Sequence, residues 1–113
     1  MARICMATAK IPPKVVTELQ RQYNQELGAA HSYRALSLWC ESQNFKGFAC
    51  YFDKQAAEER THAKKIAAHL LDRQVLPETA AIAEPKNNFK SLLDVAQHAQ
   101  SMESSNKIGR AHV

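Results

Sequence analysis

From Leu19, alternating steps of four and three residues lead through Tyr23, Glu26, Ala30, Tyr33, Ser37 and Cys40, a spacing that lays one stripe along one face of an α-helix. Phe45, Phe48, Phe52, Gln55, Glu59, His62 and Ile66 make a second stripe of the same kind. The pattern predicts a first helix over 13–41, entered through Ile11-Pro12-Pro13 because proline suits a first helical turn and breaks an interior one. Ser42-Gln43-Asn44 is a short polar break, and a second helix is expected over 45–73. A link that short makes the two helices antiparallel neighbours. Pro77 and Pro85 exclude a continuous helix over 74–88, a segment too long for a simple helix turn. Extended, it reaches roughly 50 Å, enough to return along a helix of about 43 Å and start a third helix parallel to the second. That helix is expected to begin near Phe89 or Ser91, where Ser91 and Asp94 resemble a capping box with Asp in place of Glu. Leu92, Ala96, Ala99 and Glu103 then continue the inward stripe.

Composition sharpens this to an all-α fold. Of 113 residues only three are glycine and four proline, while helix-favouring alanine, leucine, glutamine, lysine and glutamate are plentiful. With 45% hydrophobic and 23% charged residues, the chain has the balance of one globular domain. Three helices with one long crossover are most of a four-helix bundle, and the fourth helix is expected to be missing. Residues 1–12 read as an N-terminal extension, with Met6 a candidate start, and 13–107 as the helical domain. The last six residues, 108–113, have no hydrophobic repeat and are expected to be a tail foreign to the protein. The net charge of +4 is spread over interleaved acids and bases with no basic block longer than Lys64-Lys65, so no nucleic-acid partner is expected. No apolar run suits a signal peptide or a membrane span, so no membrane partner is expected either. Cys5, Cys40 and Cys50 form no Cys-x-x-Cys pair and fit a reducing, cytoplasmic setting.

The chemistry lies in the exceptions to the stripes. Glu26, Glu59, His62 and Glu103 occupy positions that ought to be apolar, and burying a lone carboxylate costs several kcal/mol. Either the faces are not buried, or the groups pair with one another, or a cation joins them. Glu59-Arg60-Thr61-His62 is a Glu-x-x-His on a helix, which leaves the two side chains about 60° apart and able to reach one ion. Glu58 stands where a zinc-protease helix needs histidine. A donor set dominated by carboxylates with one imidazole favours iron or manganese over structural zinc.

The runs Glu26-Leu27-Gly28-Ala29-Ala30-His31-Ser32-Tyr33, Trp39-Cys40, Phe45-Lys46-Gly47-Phe48 and Ala57-Glu58-Glu59-Arg60-Thr61-His62-Ala63 resemble the non-haem ferritins, particularly the bacterial branch. Pro77, Ile82, Pro85, Phe89 and Ser91-Leu92-Leu93-Asp94 are similar to that family's crossover and third-helix entry. The resemblance makes 13–107 part of a ferritin-like di-iron domain, truncated before the fourth helix. Inward carboxylates with Glu-x-x-His motifs on facing helices are the general arrangement of such bundles. By this resemblance Glu26 and His62 are expected to hold the first iron, Glu59 to bridge two irons, and Glu103 to hold the second. Tyr33 matches a tyrosine beside the centre, and Glu58 a residue that holds a third iron or passes iron inward. Gln55 is expected to hydrogen-bond around the ligands.

The resemblance further implies a ferroxidase that oxidises Fe(II) to Fe(III) with dioxygen. The ferric mineral would be stored inside a homo-oligomeric cage of about two dozen subunits. Iron is the expected metal, and no haem is expected because no methionine is suitably placed. His31, His69 and His98 are assigned no role, and Trp39 and Met102 are expected in the core or at an interface. Two other readings stay open. One is a rubrerythrin-like di-iron peroxidase; the other is a non-catalytic helical interaction module whose seam acids pair with basic residues, against which Arg34 and Arg60 lie beside the seams.

Overall fold

In the computed structural model the described residues are 11–111, with side chains described through Ser105. They form three helices: α1 (Pro13–Ser42), α2 (Lys46–Asp72) and α3 (Leu92–Ala111). The readings of residues 1–10 and of 112–113 lie outside them, and the α3 backbone continues into the expected tail as far as Ala111. Contacts between Ser37 and Ala49 and between Tyr33 and Glu103 set α2 and α3 each antiparallel to α1, and hence parallel to each other.

Both long helices end in the same way. Phe45 N–H donates to the Cys40 carbonyl at 2.8 Å and Asn44 N–H to that of Glu41 at 3.1 Å. At the end of α2, Val75 N–H donates to Leu70 and Gln74 N–H to Leu71, each at 2.9 Å. These crossed bonds cap the last carbonyls and force one residue into the left-handed region. Asn44 at φ 64° and Gln74 at φ 63° take that position. Asparagine tolerates it, whereas glutamine has no such ease.

The crossover is strapped to α1 by side chains that act as strand partners. Asn24 accepts from Ala80 N–H and donates to the Glu78 carbonyl, both at 2.8 Å. Gln20 accepts from Glu78 N–H at 2.8 Å, and the Tyr23 and Thr79 hydroxyls meet at 2.7 Å. An extended segment without a sheet must satisfy its backbone somewhere, and these polar side chains on α1 provide for it. At the far end, Ser91 Oγ accepts from Asp94 N–H at 3.2 Å, as the capping pattern predicts. The return bond differs from expectation: the Asp94 carboxylate accepts from Lys90 N–H at 2.9 Å, one residue earlier.

The core gathers at one end, where Tyr33, Leu36, Cys40, Ala49, Phe52, Ala56, Phe89 and Val95 are buried together. Tyr33 stacks on Phe52 at 6.1 Å and Trp39 meets Phe89 edge-on at 5.7 Å. Trp39 and Met102 pack against this core, in line with expectation. Two stripe assignments need correction. Phe45 and Phe48 are 37% and 48% exposed, not buried, because α2 and α3 each pack on α1 and leave an apolar trough between them, which Phe48, Leu93 and Ala96 line. On α3 the buried residue is Val95 and Ala96 is exposed, since the helix turns its inward face toward α1 alone.

Two outcomes follow for the full-length protein. Gln74→Gly relieves the left-handed strain and raises stability by about 0.5–1 kcal/mol in urea unfolding. The Lys90 N–H bond, supported by Lys86, holds the Asp94 carboxyl below its ordinary pKa. Its contribution to stability is therefore present above the unfolded carboxyl's pKa, near 4, and is lost as pH falls through the lower folded value. Asp94→Asn flattens that acid limb of the stability curve, measured as thermal midpoint against pH.

Candidate metal centre

Two antiparallel helices carry the site, and small residues let them come close. Ala30 on α1 and Ala56 and Ala63 on α2 are buried beside the acids. Ser37 Oγ donates to the Ala49 carbonyl at 2.8 Å across the seam. Glu26 on α1 is 1% exposed and Glu59 on α2 is 3% exposed. His62, one turn after Glu59, has a side chain 44% exposed, with Nδ1 at 3.5 Å from Glu26 Oε2 and 3.9 Å from Glu59 Oε2.

One ligand atom from each of these three residues lies within 4.8 Å of the other two. Two like charges that close, shielded from water, repel strongly. Two carboxylate oxygens and one imidazole nitrogen make a donor set that a divalent cation satisfies in charge and in ligand type. The side chains of this group therefore fit a metal ion.

Around them stand the other residues singled out from the sequence. The Tyr33 hydroxyl donates a hydrogen bond to Glu103 Oε1, tying α1 to α3 beside the group. Burial pushes the Tyr33 phenol well above its ordinary pKa, and the Glu103 hydrogen bond and the negative charges of Glu103 and Glu59 push it further. It is thus a neutral O–H donor at any physiological pH. Glu103 is exposed on α3, outside the group of three, and accepts the Tyr33 hydrogen bond. Glu58 is exposed on α2, outside the group, and Gln55 is half-buried one turn before Glu59.

The other histidines lie elsewhere. His31 is exposed, His69 Nδ1 is 3.1 Å from an Arg73 nitrogen, and His98 packs on Phe89. A cleft lined by Gln22, Glu26, His62, Lys65 and Ile66 opens on the group. Gln22 and Lys65 were not singled out from the sequence. Gln22 is one turn before Glu26, a spacing too common to carry a signal.

A family profile described as Ferritin-like domain matches residues 16–106. The chain belongs to the ferritin family. Bacterial non-heme ferritins of Staphylococcus aureus and Staphylococcus haemolyticus are each 39% identical to it over 85 residues, which is 75% of this chain and 51% of theirs. The chain thus spans about half the length of these curated relatives. Among solved structures, a crystal structure of an iron-soaked PmFTN variant aligns with a TM-score of 0.81 at 26% identity, covering 87% of this chain and 63% of that one. The all-α architecture is accordingly that of a ferritin four-helix bundle, of which the described residues form three helices.

The raised Tyr33 pKa has a measurable sign. A phenol whose folded pKa is raised contributes stability that is complete below the unfolded pKa, near 10. That stability is lost as pH climbs toward the higher folded value. In an alkaline absorbance titration, Tyr33→Phe removes no transition in the ordinary phenol range, and in urea unfolding it makes the loss of stability between pH 9 and pH 11 smaller.

Proposed function

We infer that the full-length protein is a ferroxidase that oxidises Fe(II) to Fe(III) with dioxygen and stores the ferric product. Glu26 and His62 hold the first ferrous ion, Glu59 is shared between two ions, and Glu103 holds the second. The observation that carries this reading is the convergence of Glu26, Glu59 and His62, with their ligand atoms within 4.8 Å of one another between two packed helices.

Iron here is the substrate. A pair of ferrous ions supplies two electrons to one dioxygen, which a single ferrous ion cannot do. Carboxylate donors favour the ferric product by charge, and an imidazole that is partly open to solvent leaves coordination positions for exchange. Tyr33 keeps its proton and, by donating a hydrogen bond to Glu103, holds that carboxylate toward the centre. Glu58, exposed beyond the centre, is suited to receiving iron as it leaves.

The reading extends to the assembly and the setting. A homo-oligomeric cage of about two dozen copies in the cytoplasm is proposed on the strength of the family. Within the described residues no helix is long and apolar enough to cross a membrane. Against a helical scaffold held by acid–base pairs stands the placement of the arginines. Arg34 pairs with Asp53 at 3.5 Å on the outer surface, and Arg60 is exposed.

Anaerobic Fe(II) loading of the full-length protein followed by dioxygen tests the reading. Rapid ferric absorbance is expected from the parent. Glu59→Ala should slow it by more than the roughly 10–100-fold that loss of an outer hydrogen-bonding partner costs a metal site. Oxidation at the parent rate by that variant would remove the site assignment.

A further inference from the structure

Tyr33 is in contact with a second phenol by way of one ring. Its hydroxyl donates to Glu103 Oε1, and the negative charge of Glu59 reaches it. Its ring stacks on Phe52, centroids 6.1 Å apart and planes 21° from parallel, and Phe52 meets Tyr51 edge-on at 5.3 Å. Tyr33 and Phe52 are 1% and 4% exposed, whereas Tyr51 is 56% exposed on the trough between α2 and α3. Three touching rings thus run from beside the centre to solvent. The contacts of Trp39 with Phe45 and Phe89, and of Phe89 with His98, involve none of these three.

A tyrosine at a half-wet rim is ordinary by itself. Its link through a buried ring to a phenol bonded to a carboxylate of the proposed centre is not. A phenol gives up an electron readily only when its proton can leave as well. Tyr33 has an acceptor in Glu103, and Tyr51 has one in water. The phenylalanine ring has no such proton and is far harder to oxidise, so Phe52 is a bridge that the electron crosses and not a place where it stops.

We propose that Tyr51 is a redox-active residue that replaces, across Phe52, an electron given up by Tyr33 when a single ferrous ion meets dioxygen. The inference rests on the ferroxidase reading above. One ferrous ion supplies one electron, and dioxygen needs two to reach hydrogen peroxide. Tyr33 supplies the other while its proton shifts to Glu103. Tyr51 then passes an electron to Tyr33, the proton returns from Glu103, and the Tyr51 proton goes to water. In sum, Fe(II), the Tyr51 phenol, dioxygen and one proton from water give Fe(III), the Tyr51 phenoxyl radical and hydrogen peroxide. Iron and the phenol are oxidised by one electron each, and the oxidising equivalent ends at the solvent-facing phenol instead of among the ligands.

Electron paramagnetic resonance tests this on the full-length protein, loaded anaerobically with one Fe(II) per subunit, exposed to dioxygen and frozen. The parent should give a phenoxyl signal that narrows when its tyrosines are ring-deuterated. Tyr51→Phe, a conservative change that leaves the ring in place, should lose that signal or show instead the g-anisotropy of a hydrogen-bonded phenoxyl, that of Tyr33. Phe52→Leu should produce the same change, because the bridge goes while both phenols stay. A signal of parental size and shape from Tyr51→Phe would overturn the inference. Ferric absorbance of the same samples separates the two levels. If the parent forms Fe(III) but no phenoxyl, or one indifferent to Tyr51, only the relay fails; if the parent forms no Fe(III), the ferroxidase reading itself fails.

Discussion

Two carboxylates, Glu26 and Glu59, are held out of water between antiparallel helices with an imidazole at 3.5 Å and 3.9 Å from them. Their repulsion and lost hydration work against the fold by several kcal/mol, so the surrounding structure must hold them there. It does so from one side. Tyr33, Leu36, Phe52, Val95 and their neighbours bury apolar surface at the end of α1 just beyond the acids, and a domain's stability is a small surplus of such terms. The site thus sits where the hydrophobic core stops, close enough to be positioned by it.

The crossover serves the same end by a different kind of interaction. Without strands to pair with, its backbone is satisfied by Gln20, Tyr23 and Asn24, and this lays it along α1 from the end of α2 to the start of α3. α3 can then run parallel to α2 and bring Glu103 to the Tyr33 hydroxyl. A polar strap to the crossover and the buried Glu26 are two uses of one helix, with Tyr23 and Glu26 only three residues apart.

Where the stripes were misjudged, the reason is packing geometry. A period of three and four residues identifies a face but not what stands opposite it. Phe48 and Ala96 lie on the predicted faces and yet border the trough between α2 and α3, while Val95, one residue from the predicted stripe, is the buried one. The α2 stripe holds from Phe52 to Glu59, where α1 is the direct neighbour. The Asp94 return bond was misplaced by one residue for a related reason, since which backbone N–H a cap reaches depends on the path of the chain before it.

By itself the sequence determined the helices, their order, the antiparallel pair and the placement of Glu26, Glu59 and His62 on facing stripes. Those follow from local periodicity, proline positions and link lengths, which act over a few residues. The tertiary structure alone decided that one atom from each of the three falls within 4.8 Å of the others, and that Glu103 accepts a hydrogen bond from the Tyr33 hydroxyl. Those depend on how closely the alanine-lined seam lets the helices approach and on the rotation of each about its axis, quantities set by packing between residues far apart in the chain.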